Sequence, residues 1–203
     1  MEYKEILVPF LHDYVIKGEA DAFRSKFGDD SLPVDIEAII EFKLGINIIP
    51  SPGLQFLCDT DALISSDWRS IVVDNNNFSD GRYQNRLRFS FAHEIGHFIL
   101  HKNIYESFGI KNTRDFEKLI NNIPPNQYGY LEIQANKFAN YLLIPREKLL
   151  VERNKEIKKV SNLIASGKVE NKKEINSYLA VPLSKIFGVS EEAVEIALSE
   201  IND

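Results

Sequence analysis

Cysteine is almost absent from this 203-residue chain: Cys58 stands alone, which excludes an intrachain disulfide and any thiolate cluster for a metal. A bound metal has to be held by His, Asp or Glu. Positive charge is also short, with 24 Lys plus Arg against 30 Asp plus Glu and a net charge of −6. Such a surface repels phosphate backbones and acidic lipid over most of its extent, so neither direct nucleic-acid binding nor membrane binding is expected. Long apolar runs are missing. The most apolar stretch, 89–100, contains two histidines and a glutamate and falls short of the ~20 apolar residues of a membrane helix. Glu2 and Glu5 stand where a secretion signal needs positive charge, and Pro9 and His12 interrupt its apolar core. The reading is a cytoplasmic protein.

What is present is a 44% apolar share, enough for a real core in one domain with an appendage. Helical spacing at Ile6, Phe10 and Tyr14 points to a first helix ending near Gly28, with Pro9 arguing against one continuous segment. Pro33 opens a second, with Ile36, Ile39, Ile40 and Leu44 on one face and Gly45 as its stop. Three short strands are expected at 46–49, 54–57 and 70–74, joined by Pro-Gly and Asp-rich turns and forming a small, mostly antiparallel sheet. From Asn85 the text is helical: Leu87, Phe91, Ile95, Phe98 and Ile99 make one face of a helix to about Lys102. A loop at Pro124-Pro125 leads to a helix over 130–144, stopped by Pro145. Residues 152–176, dense in Lys and Glu, read as a solvated helical face. Residues 181–201 read as helix, Gly188 turn, Ser190 cap and helix. The fold class is α+β, with a core over 1–150 and a helical extension over 151–203.

Three of the four histidines fall in His93-Glu-Ile-Gly-His97-Phe-Ile-Leu-His101. Imidazoles four apart on a helix project from one face and can reach one ion, and Glu94, about 100° round from His93, is placed to hold a water beside it. His97 with His101 has the same spacing, but Phe98 cannot accept a proton. All three cannot ligate together, because eight residues span about 12 Å while ligands sit at ~2.1 Å. His101 therefore reads as a residue behind the ligands or on the surface. The His-Glu-x-x-His pattern is expected roughly 0.007 times by chance at this composition, so accident is a poor explanation.

A catalytic zinc site takes three protein ligands and keeps one position open. Glu132 is the best third ligand: it lies on the next helix, on a face continued by Asn136, Ala139 and Leu143. Ala135 and Ala139 suggest that this helix packs closely on the first. Asn136 is placed to hydrogen-bond the outer nitrogen of a ligating histidine. Tyr128, Tyr130 and His101 are unranked candidates for stabilising an oxyanion, and the strand at 71–74 is a candidate edge for an extended substrate.

The residues 88–101 around this motif, Glu132-Ile-Gln-Ala-Asn-Lys-Phe-Ala139 and Leu142-Leu-Ile-Pro145 resemble the ImmA/IrrE metallopeptidases, as do 32–40, 44–50 and 71–73 upstream. The resemblance covers about 32–146 and implies a zincin-like core, metal ligation by His93, His97 and Glu132, and catalysis by Glu94. It implies zinc, with manganese possible, and a substrate that is a helix-turn-helix repressor, cut at a specific site. The tail, 183–198, mimics a helix-turn-helix but carries Glu191, Glu192 and Glu195 where phosphates would be met. The alternative function is a metal-containing protein that binds a repressor without cleaving it.

Overall fold

The computed structural model describes residues 6–165 and 172–201. The chain divides into two compact units, one of residues up to 29 with 35–142, the other of 30–34 with 143–203. Within the described residues no helix is long and apolar enough to cross a membrane.

In the first unit, α1 (Asp13–Phe27) buries Ile16, Ala20 and Phe23 along one stripe. The helix starts later than the spacing of Ile6, Phe10 and Tyr14 suggested. Phe10 and Tyr14 are exposed, and 6–12 runs as a non-helical strap whose Val8 N–H donates to Gln127 Oε1 at 2.7 Å. α2 (Ile36–Ala38) is capped by the Asp35 carboxylate, which accepts from Ala38 N–H. It widens into a π-helical turn over Ile39–Lys43 that keeps Ile39 and Ile40 buried, and Gly45 ends it at φ +67°.

The sheet has β1 (Asn47–Ser51), β2 (Ala62–Ile64) and β3 (Ser70–Asp74) in the order β1-β3-β2. β2 pairs antiparallel with β3, but β1 pairs with it in parallel, Asn47 opposite Ser70 through Ser51 opposite Asp74. The expected mostly antiparallel sheet is therefore mixed. The physical reason is the crossover from β1 to β3, which passes through α3 (Leu54–Cys58) and β2 and so brings the chain back in its original direction. α3 replaces the strand expected at 54–57. Gly53 at φ +79° breaks the extended path, and Asp74 Oδ2 accepts the Gln55 N–H at 3.1 Å, which satisfies a first-turn donor of a helix. The same buried carboxylate caps α4 (Asn75–Ser79) through Asn76 and Asn77. β3, the inner strand, has both edges occupied, so it cannot take the substrate-edge role expected of it.

A short 3₁₀ turn at Gly81–Tyr83 leads into α5 (Gln84–Leu100), which buries Leu87, Phe91 and Ile95. α6 (Lys102–Phe108), α7 (Thr113–Asn122) and α8 (Pro125–Leu143) follow. α8 begins earlier than expected because proline suits the first position of a helix, where its missing N–H has no partner anyway. Gly96 sets the crossing of α5 and α8: a Cβ there would lie 3.0 Å from Ala135 Cα and 3.1 Å from its carbonyl oxygen.

The second unit holds α9 (Arg146–Ala165), α10 (Lys172–Phe187) and α11 (Glu191–Glu200). The Lys- and Glu-dense stretch 152–176 is helical to 165 and again from 172; residues 166–171 lie outside the described residues. Gly188 at φ +63° and Ser190, whose hydroxyl caps Ala193 N–H, turn α10 into α11. Arg146, buried, holds Glu200 Oε2 at 2.7 and 3.1 Å.

Candidate metal centre

α5 places His93 and His97 one turn apart, and their Nε2 atoms are 3.0 Å from each other. α8 brings Glu132 to both: Oε2 is 3.4 Å from His93 Nε2, and Oε1 is 3.5 Å from His97 Nε2. Ligands at ~2.1 Å in a tetrahedral arrangement lie about 3.4 Å apart, so the three donors are spaced as one ion requires. Their outer atoms are already engaged. His93 Nδ1 meets Asn136 Oδ1 at 2.9 Å, and His97 Nδ1 meets His101 Nδ1 at 3.0 Å. With hydrogens on the two Nδ1 atoms, both Nε2 lone pairs point at one another and at a carboxylate. Without a metal, a proton on His93 offsets that concentration of negative charge; the donor set of two imidazoles and a carboxylate also fits a divalent metal.

Glu94 is the competing third ligand, since one of its oxygens lies within 4.8 Å of the histidine nitrogens. Geometry favours Glu132. Glu94 Oε2 accepts the Ile64 N–H at 2.8 Å, from β2, while each oxygen of Glu132 approaches one histidine. Glu94 is thus fixed beside the centre. Because Ser65 N–H donates to Ser70 O in the β2–β3 ladder, Ile64, one residue earlier, turns its N–H outward from the sheet.

The electrostatics follow from burial and contact. Burial opposes charging His93, yet the Glu132 carboxylate and the Glu94 charge outweigh it and push its pKa up to about 9. Burial would raise Glu132, but hydrogen bonds from His93 and His97 hold it well below the usual carboxylate range. Burial raises Glu94 to about 7, with the His93 charge pulling the other way. Burial also lowers His97, and lowers His101 to about 3, helped in the latter by the His97 charge.

A pocket of about 150 Å³ opens on this centre, lined beyond it by Asp59, Thr60, Asp61, Phe89 and Ser90. Asp61 is buried and neutralised by Arg86, and it accepts from Asn77 Nδ2 at 2.7 Å. Of the candidate oxyanion residues, His101 is 2% exposed and lies behind His97 with both ring nitrogens engaged, so it is no longer a candidate. Tyr130 is largely exposed. Tyr128 lies beside Glu132, and burial and the two carboxylates raise its pKa, keeping the hydroxyl protonated.

The structure therefore brings His93, His97 and Glu132 together, with Glu94 adjacent and Asn136 behind His93. The spacing did not reveal Gln134, the Ile64 N–H or the role of Gly96. Gln134 and Gly96 sit among the motif residues, and a small residue between two histidines was the available signal for a close crossing.

No curated protein matches the chain. Residues 43–199 match peptidase family M78, described as the IrrE N-terminal-like domain. Because that match runs well past half of the sequence and takes in both helices that carry the candidate metal centre, the protein belongs to this peptidase family.

Proposed function

We propose that the protein is a zinc-dependent endopeptidase in which His93, His97 and Glu132 hold the ion and Glu94 is the general base. The observation that carries this is the convergence of two imidazole nitrogens and a carboxylate at 3.0, 3.4 and 3.5 Å, with the outer nitrogens already engaged. A divalent ion bound there supplies Lewis acidity, polarising a carbonyl oxygen and acidifying water. Manganese suits the same donors.

Glu94 takes a proton from the attacking water at its carboxylate and passes it to the leaving amine nitrogen. Ile64 N–H holds Oε2, which leaves Oε1 for that exchange. Tyr128 donates its hydroxyl hydrogen to the developing oxyanion.

The size of the pocket supports a chain substrate over a small molecule. Sites that engulf a drug-sized ligand run to about 300–1,000 Å³, whereas this one is about 150 Å³. The proposed substrate, a helix-turn-helix repressor, rests on the resemblance to the ImmA/IrrE peptidases. Incubating zinc-loaded protein with candidate repressors tests it, with Glu94→Gln as control. Discrete product bands from the native protein and at least a 100-fold slower reaction from the variant, with zinc retained, are expected. Repressor that binds but stays intact would instead favour a non-catalytic partner-binding role, and a fully active Glu94→Gln would remove the base assignment.

A further inference from the structure

Behind His97 lies a row of hydrogen bonds whose direction is set from its far end. The Pro9 carbonyl can only accept, so the Gln134 amide that reaches it at 2.8 Å does so with its NH₂ group. That fixes the flip of the amide and turns Oε1 toward His101 Nε2, 3.0 Å away. An amide oxygen can only accept, so His101 carries its hydrogen on Nε2. Its Nδ1 is then a lone pair, 3.0 Å from His97 Nδ1, and can only accept the hydrogen of His97. His97 is thereby held as the Nδ1–H tautomer, with its Nε2 lone pair turned to His93 and Glu132. His101 and Gln134 are 2% and 5% exposed, so water does not offer an alternative partner that would let the row reverse.

We infer that Gln134 and His101, anchored by the Pro9 carbonyl of the amino-terminal strap, are positioning residues that set the tautomer of His97 and so raise the affinity of the centre for a divalent ion. The inference rests on the proposal that His97 is a metal ligand. It gives the strap before α1 a part in the metal centre, although no residue of the strap is a ligand. It also explains why an amide stands at 134: a group that both donates and accepts is needed between a carbonyl and a ring nitrogen, and an apolar residue of the same size would take away the partner of both the buried His101 Nε2 and the Pro9 carbonyl.

The test is zinc affinity by competition with a chromogenic chelator, with folding checked by circular dichroism. His101→Leu and Gln134→Leu should each weaken zinc binding about 10- to 100-fold, as loss of partners behind a metal ligand commonly does. His101→Asn, whose Oδ1 can stand near the position of Nδ1 and accept from His97, should recover most of that loss. Long-range ¹H–¹⁵N correlation spectra of the zinc-loaded native protein should place the His101 hydrogen on Nε2 and the His97 hydrogen on Nδ1, a readout that needs no variant to fold. A His101 hydrogen on Nδ1, or unchanged affinity in folded His101→Leu and Gln134→Leu, would overturn the inference. His97→Ala separates the two levels. If it loses zinc while the outer variants keep it, only the positioning role fails; if it too keeps zinc, the ligand set fails and the inference with it.

Discussion

At the scale of the residue, the centre is a competition between a proton and a metal for the same atoms. His93, pushed up to about 9 by Glu132 and Glu94 against the effect of burial, is protonated at pH 7 in the metal-free protein. Zinc binding at that pH should release about one proton, and apparent affinity should rise close to tenfold per pH unit until about pH 9. Calorimetry in two buffers of different ionisation enthalpy measures this, and no proton release would contradict it. Linkage gives the matching stability prediction. A histidine whose pKa is raised above its unfolded 6.5 stabilises fully below that value and loses the effect as pH climbs through about 9. Its share of metal-free stability should accordingly decline across that interval, read as a difference from His93→Gln.

Much at this scale was legible in the sequence. His93, Glu94 and His97 share a motif whose spacing is a helical turn, and Glu132 and Asn136 repeat that spacing on the next helix. Gln134 and the Ile64 N–H were not legible. Each meets its partner across 30 or more residues of chain, and such a meeting leaves no local periodicity.

At the scale of the element, the seam between α5 and α8 decides whether Glu132 reaches the histidines. In an ordinary helix Gly→Ala is favourable by up to ~1 kcal/mol. Here the added methyl would sit 3.0 Å from Ala135 Cα, a backbone atom that cannot swing aside. Overpacking of this kind costs about 1–3 kcal/mol, so Gly96→Ala should destabilise in chemical denaturation despite better helix propensity. It should also weaken zinc binding by moving α8 away. A stabilised variant would show that the helices have room to part.

Asp74 makes a second prediction at this scale. One carboxylate serves the starts of both α3 and α4, and losing a cap costs about 0.5–2 kcal/mol, so Asp74→Ala should lose roughly 1–4 kcal/mol by the same measurement. A loss under about 0.5 kcal/mol would mean that water replaces it at both ends. β3 and α5 were legible because their patterns are long or β-branched. α3 was misread because Leu54-Gln-Phe-Leu57 is a short apolar run that periodicity alone cannot assign. The parallel sense of β1 depends on which strand it meets after a crossover, a non-local outcome.

At the scale of the whole molecule, charge bears on the choice of partner. The net charge of −6 is distributed over a surface in which α11, the helix that would read DNA in a helix-turn-helix, opens with Glu191 and Glu192. Glu195 on the same helix accepts from Ser177 on α10 at 2.6 Å, while Ala193, Val194, Ala197 and Leu198 are buried. The α10–α11 pair is a packing unit, legible from the Gly188 turn and the Ser190 cap. Mobility-shift assays at ~50 mM salt, where phosphate contacts are strongest, should detect no binding to duplex DNA. Salt-sensitive retardation would reverse that reading.

The most direct test is crystallographic, on zinc-loaded protein, using anomalous scattering at the zinc edge. One peak per chain is expected, about 2.0–2.2 Å from His93 Nε2, His97 Nε2 and a Glu132 oxygen. A peak elsewhere, or one bound by the histidines with Glu132 turned away, would contradict the account.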